Sequence, residues 1–148
     1  MVLVAVSCGA GHGSTTDDRE IAIYSAVIRA VVTQPAGQTT TTRPHLSVFV
    51  VPADERTPIS LEVQAGIVDA LHSYVTVRFD DKRSEAIDIH STDKVVHQNG
   101  VLLALGKIPA GRDDVTVEVE RYERAGVDRT FRVRLHRTGS TWAVTSVS

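Results

Sequence analysis

Hydrophobic positions recur along this chain with two different periods. Towards its end, Val115, Val117 and Val119 alternate with Thr116, Glu118 and Glu120, and Phe131, Val133 and Leu135 alternate with Arg132, Arg134 and His136. A period of two puts an apolar face and a wet face on one strand. Gly126 with Asp128, and then Gly139 with Ser140, interrupt these runs, and Thr141-Trp142-Ala143-Val144 follows. Turn residues between alternating runs predict an antiparallel three-strand meander. Glutamates of its first strand then face arginines of its second, and such cross-strand pairs contribute about 0.2–1 kcal/mol each.

Upstream the period lengthens. Ile21, Tyr24, Val27, Ile28, Val31 and Val32 share one face at helical spacing, with Asp17 and Glu20 as a capping pair before them and Thr33 to Gly37 as the stop. Ile59, Val63, Ile67, Ala70 and Leu71 predict a second helix, capped by Thr57 with Pro58 at its first position. Gly66 on this helix is expected to allow close approach to a sheet. Leu46 to Val51 reads as a strand buried on both faces, and Val75 to Phe79 as the next strand. Strand, helix and strand predict a βαβ unit with two parallel strands. Ile87 and Ile89 alternate with Asp88 and His90 and predict an edge strand. Asn99-Gly100 signals a turn, and Val101 to Leu105 a further buried strand.

The fold class expected from these elements is α+β: two helices packed on a mixed sheet of five or six strands that ends in the antiparallel meander. Residues 17–148 form one globular domain in this reading, and residues 1–16 a signal remnant and flexible tether. The last two long strands, ending in Trp142-Ala143-Val144-Thr145-Ser146-Val147, resemble the end of small bacterial domains of the nuclear-transport-factor-2-like class. That resemblance implies a cone-shaped sheet around a pocket as the alternative fold.

The start of the chain resembles a bacterial lipoprotein signal. Met1 to Val6 is apolar, and Ala5, Val6 and Ser7 fill the three small or apolar positions of a lipobox before Cys8. The resemblance implies cleavage before Cys8, acylation of its thiol and anchoring on the extracytoplasmic side of the cell envelope. Gly9 to Thr16, rich in Gly, Ser and Thr, suits a spacer between anchor and domain. The alternative is a short buried first strand containing Cys8, in a cytoplasmic protein.

Composition narrows the partners. The formal net charge is -2 over 148 residues, so no basic excess draws the chain to nucleic acid or to an anionic bilayer. Membrane association is expected only through the lipid anchor. The single cysteine closes no disulfide within the chain, and no metal or cofactor is implied.

Three polar clusters bear on chemistry. Asp88, His90, Asp93 and His97 include an Asp-x-His that, on a strand, would point both side chains to one face, and Asp88 with His90 are the candidate pocket residues. The pairs Asp17-Asp18, Asp54-Glu55, Asp80-Asp81 and Asp113-Asp114 read as solvated turn and cap residues. Arg121, Arg124, Arg129, Arg132, Arg134 and Arg137 read, with Glu118, Glu120 and Glu123, as a charge-balanced outer face. No nucleophile elbow, metalloprotease helix or phosphate-cradling loop is present. The function expected first is a non-enzymatic binding or structural domain of an envelope lipoprotein, meeting an envelope partner or small ligand. The alternative is a small pocket enzyme using Asp88 and His90 as acid and base.

Overall fold

The computed structural model describes residues 15–35 and 45–148. Cys8, residues 9–14 of the expected tether and the threonines at 39–42 lie outside them. Helix α1 spans Thr15–Val32, so it takes in the last two residues of the expected tether. It buries Ile23, Tyr24, Val27, Ile28 and Val31. Asp17 and Asp18 sit inside its first turn, where negative charge suits the helix dipole, and Asp17 is not the cap.

β1, Ser47–Pro52, leads into helix α2, Leu61–Leu71, and then β2, Thr76–Phe79. The side chain of Ser60 accepts from Val63 N at 3.2 Å and is the cap of α2. Thr57, expected in that role, instead closes the preceding turn: its amide donates to Asp54 O at 2.9 Å. Gly66 of α2 is pressed against the other helix, not the sheet. A Cβ at this position would fall 2.3 Å from Cδ1 of Ile21.

After β2 come the four-residue helix α3, Arg83–Ala86, a 3-10 turn at His97–Asn99, and β3, Val101–Leu105. The meander is β4, Asp114–Arg124, β5, Val127–Thr138, and β6, Thr141–Val147. The six strands form one mixed sheet in the order β2-β1-β3-β4-β5-β6. β1 is parallel to both β2 and β3, and the remaining pairings are antiparallel. The α+β class, the parallel βαβ unit and the closing meander are thus as expected. The cone alternative is not realised, because β1 lies between α1 and α2 in chain order instead of after both helices.

The core lies between one face of the sheet and the two long helices. Val48, Val50, Leu103, Val117, Val119, Val133 and Leu135 meet Ile23, Ile28, Val31, Val63 and Ile67 there. A smaller apolar cluster lies on the opposite face. Ala86 and Val96 cover Phe49, Val51, Leu102 and Ala104. This cover explains why β3, and β1 from Val48 onward, are apolar at every position while β4 and β5 alternate. Only the strands beneath the segment 80–100 are buried twice.

The expected edge strand at Ile87–Ile89 does not form. Ile87 makes a single antiparallel bridge to Val96, and Asp88 to Ser91 turn away. The turn at Asn99-Gly100 is present, but the residues divide its demands differently from a hairpin. Gln98 and Asn99 take the positive φ angles, +57° and +51°. Gly100 is needed for space, since a Cβ there would sit 2.4 Å from the carbonyl oxygen of Ser47.

Candidate functional site

The chain reverses its direction of travel across the sheet at β1. The crossover to β2 passes through α2 on one face, and the return to β3 passes through residues 80–100 on the other. In open sheets with parallel strands, such reversals leave a crevice outside the carboxyl ends of the strands. A concavity of about 180 Å³ lies at this point. Its floor is Val51, Pro52 and Ala53 from the end of β1 with Ala104 and Gly106 from the end of β3.

The rim is acidic. Glu118 and Glu120 rise from β4 on the face away from the helices, Asp81 comes from the turn after β2, and Glu55 from the loop after β1. Strand alternation decides the β4 pair: Val117, Val119 and Arg121 point to the helices, so Glu118 and Glu120 point away. Among the described residues the rim has one cation, Arg83, and it is already engaged. Its Nη1 donates to Glu120 Oε2 at 2.7 Å, and its guanidinium lies 5.6 Å from the ring centre of Tyr122. The hydrogen bond to Glu120 raises the Arg83 pKa above its ordinary value, against the opposing effect of burial. Among the described residues, two rim carboxylates, Asp81 and Glu55, therefore have no ion pair, whereas Glu120 is paired to Arg83 and Glu118 lies 3.6 Å from Nε of Arg132. Among the described residues, no set of three or more His, Cys, Asp or Glu side chains converges on one point. The carboxylates line a wall instead of forming a knot.

The expected site residues lie elsewhere. Asp88 Oδ1 accepts from His90 N at 3.0 Å, and the Asp88 carbonyl accepts from the Ser91 hydroxyl at 2.9 Å. Asp88 thus closes a local turn, and His90 is exposed at its tip. Because the segment is a turn and not a strand, the two side chains are not held on a common face. Neither lines the crevice. His97 is exposed on the 3-10 turn, and the Asp93 carbonyl accepts from Ala125 N at 2.8 Å. Cys8 lies outside the described residues.

The expected arginine face is divided by the sheet. Arg132 lies 3.6 Å from Glu118 across the strand pair, as the charge pattern suggested. Arg121 is buried on the helix side instead, 8% exposed, where it meets the end of α1. Glu118 and Glu120 were visible as outward charges, and Asp81 and Glu55 as turn acids. What brings them together is the reversal at β1. The pattern of strand, helix, strand and later strand was the signal that could have located it.

No described helix is long and apolar enough to cross a membrane. No family model matches the chain, and no curated protein or solved structure is significantly similar to it.

Proposed function

We propose that this is a non-enzymatic binding domain of a bacterial envelope lipoprotein, and that its ligand sits in the crevice at the carboxyl ends of β1 and β3. One observation supports this reading above the others. The concavity is an apolar floor under a carboxylate rim on which, among the described residues, the one cation is already paired to Glu120. Such a site selects a small positively charged group, an amine or a guanidinium on a short apolar stem, by charge and by fit. Asp88 and His90, the acid and base of the enzyme alternative, sit in a separate turn. The anchoring half of the proposal rests on the lipobox-like residues before Cys8.

Two measurements test the two halves. The full gene product and its Cys8→Ala variant are expressed in the host and fractionated. Membrane retention that needs Cys8 is expected, and equal solubility of both forms would remove the anchor. The Cys8→Ala chain is then titrated with agmatine, which carries both a guanidinium and an amine, and followed by amide chemical shifts. Saturable shifts around Ala53, Gly106, Glu120 and Thr130 are expected. Absence of shifts there, with the protein folded, would remove the crevice as the site.

A further inference from the structure

Among the described residues, β2 is an outer strand of the sheet and is bonded to β1 alone. Its residues alternate in which way their backbone groups point. Thr76 N donates to Leu46 O and Asp80 N to Val50 O, so Thr76, Arg78 and Asp80 direct their amides to β1. Val77 and Phe79 direct theirs outward, to the open edge. Beside this edge runs an open groove of about 530 Å³ between α2 and β2, in which Leu61, Ala65, Val68, Val77 and Phe79 are joined by the polar side chains of Gln64, Asp69 and His72. Leu61 is 76% exposed and Val68 39%. Leu61, Ala65 and Val68 follow the i, i+4, i+7 spacing of a helix–helix seam.

We propose that this edge and groove form the interface of a symmetric homodimer, in which β2 pairs antiparallel with β2 of a second copy. The charges on the strand are what point to a second copy, because they are self-complementary in one register. In an antiparallel pair, residues with outward backbone groups must stand opposite one another. With Val77 opposite Val77, Arg78 meets Thr76 and Asp80 meets Tyr74. With Val77 opposite Phe79, the two Arg78 side chains meet, and like charges repel across strands. With Phe79 opposite Phe79, Arg78 of each copy meets Asp80 of the other, so the pairing is matched twice by the two-fold axis. The pairing ends at Asp81, whose amide is taken by Glu85 Oε2 at 3.1 Å. On the other face, Phe79 meets its copy and the two α2 stripes close over the joint. The strand is short, so the dimer belongs to the weak class that forms at micromolar concentrations or above.

The test is sedimentation velocity of the full chain in a Cys8→Ala background, which removes disulfide-linked dimers, from ~5 to ~500 µM. A concentration-dependent dimer is expected. Arg78→Asp and Asp80→Arg should each weaken it by about 10-fold or more, and the double variant carrying both should restore it. Leu61→Asp, on an exposed helix position, should also weaken it without touching the sheet. Far-UV and near-UV circular dichroism confirm that each variant is folded. A monomer at the highest concentration overturns the proposal. So does a dimer indifferent to the single variants, or a charge swap that fails to restore association.

Discussion

Arg121 of β4 donates from Nη1 to the carbonyl of Val31 at 3.0 Å, and so fastens the carboxyl end of α1 to the centre of the sheet. The same nitrogen reaches Gln34 O at 2.9 Å, and Nη2 pairs with Glu123 at 2.7 Å. A helix end leaves carbonyls without partners and carries partial negative charge, so a buried guanidinium meets both needs. Arg121→Ala is expected to destabilise the fold by about 3 kcal/mol, since it strands buried acceptors and an acid. Arg121→Lys keeps the charge but not the planar fork, and should cost about 1 kcal/mol or more. Urea unfolding of the two variants beside the parent checks both figures.

Gly66 and Ile21 lock α2 against α1. Alanine is normally the better helix residue by about 1 kcal/mol. Here its Cβ would lie 2.3 Å from Ile21 Cδ1 and 2.7 Å from Ile21 Cγ1. Gly66→Ala should therefore destabilise, by about 1–3 kcal/mol from overpacking. In an Ile21→Ala background the same change should become stabilising, because the clash is gone and the propensity remains. Thermal melts of the four proteins of this cycle measure the coupling.

Asp80 is a carboxylate held in an unfavourable place. Burial first, then Glu85, push its pKa above the ordinary value; Arg78 and His97 pull the other way, and Asp81 adds to the rise. A carboxyl whose folded pKa is raised destabilises the fold when charged. The cost is absent below the unfolded value, grows as pH rises through the folded value and is complete above it. Asp80→Asn should then raise the melting temperature at pH 7 relative to the parent, and the difference should vanish below about pH 3.5. The melts are run at low protein concentration, so that association does not enter.

Tyr24 ties α1 to the floor of the crevice. Its hydroxyl donates to Gly106 O at 3.1 Å, and burial pushes its pKa up to about 12, with Glu20 adding to the rise. Tyr24→Phe should cost about 1 kcal/mol by leaving that carbonyl without a side-chain donor. The phenol should stay protonated in ultraviolet titration until the pH approaches the region where the fold itself is lost.

The parts of this architecture that were legible along the chain are those where one face alone governs a residue. Val115 to Glu120 and Phe131 to His136 alternate because their strands are buried on one side, and β4 and β5 form there. Val101 to Leu105 is apolar throughout because it is buried on both, and β3 has those limits. Boundaries were less legible where two residues compete for one role. Thr57 and Ser60 both suit a cap, and the choice fell to the one whose hydroxyl reaches Val63 N. The candidate site was hardly legible. Asp88-x-His90 has a strand's spacing, yet the segment must turn to bring Ala86 and Val96 down onto Phe49 and Leu102.

Period and turn chemistry along the chain were enough for the α+β class, the parallel unit and the meander, because hydrophobic period and backbone preference act over a few residues. The crevice, the burial of Arg121 and the fit of Gly66 to Ile21 were decided only when distant segments met. Glu120 is 37 residues from Arg83, and Arg121 is 90 from Val31. Which acid faces a cleft, which cation caps a helix and which glycine must stay small depend on such meetings. Long-range packing selects them, and no local pattern records it.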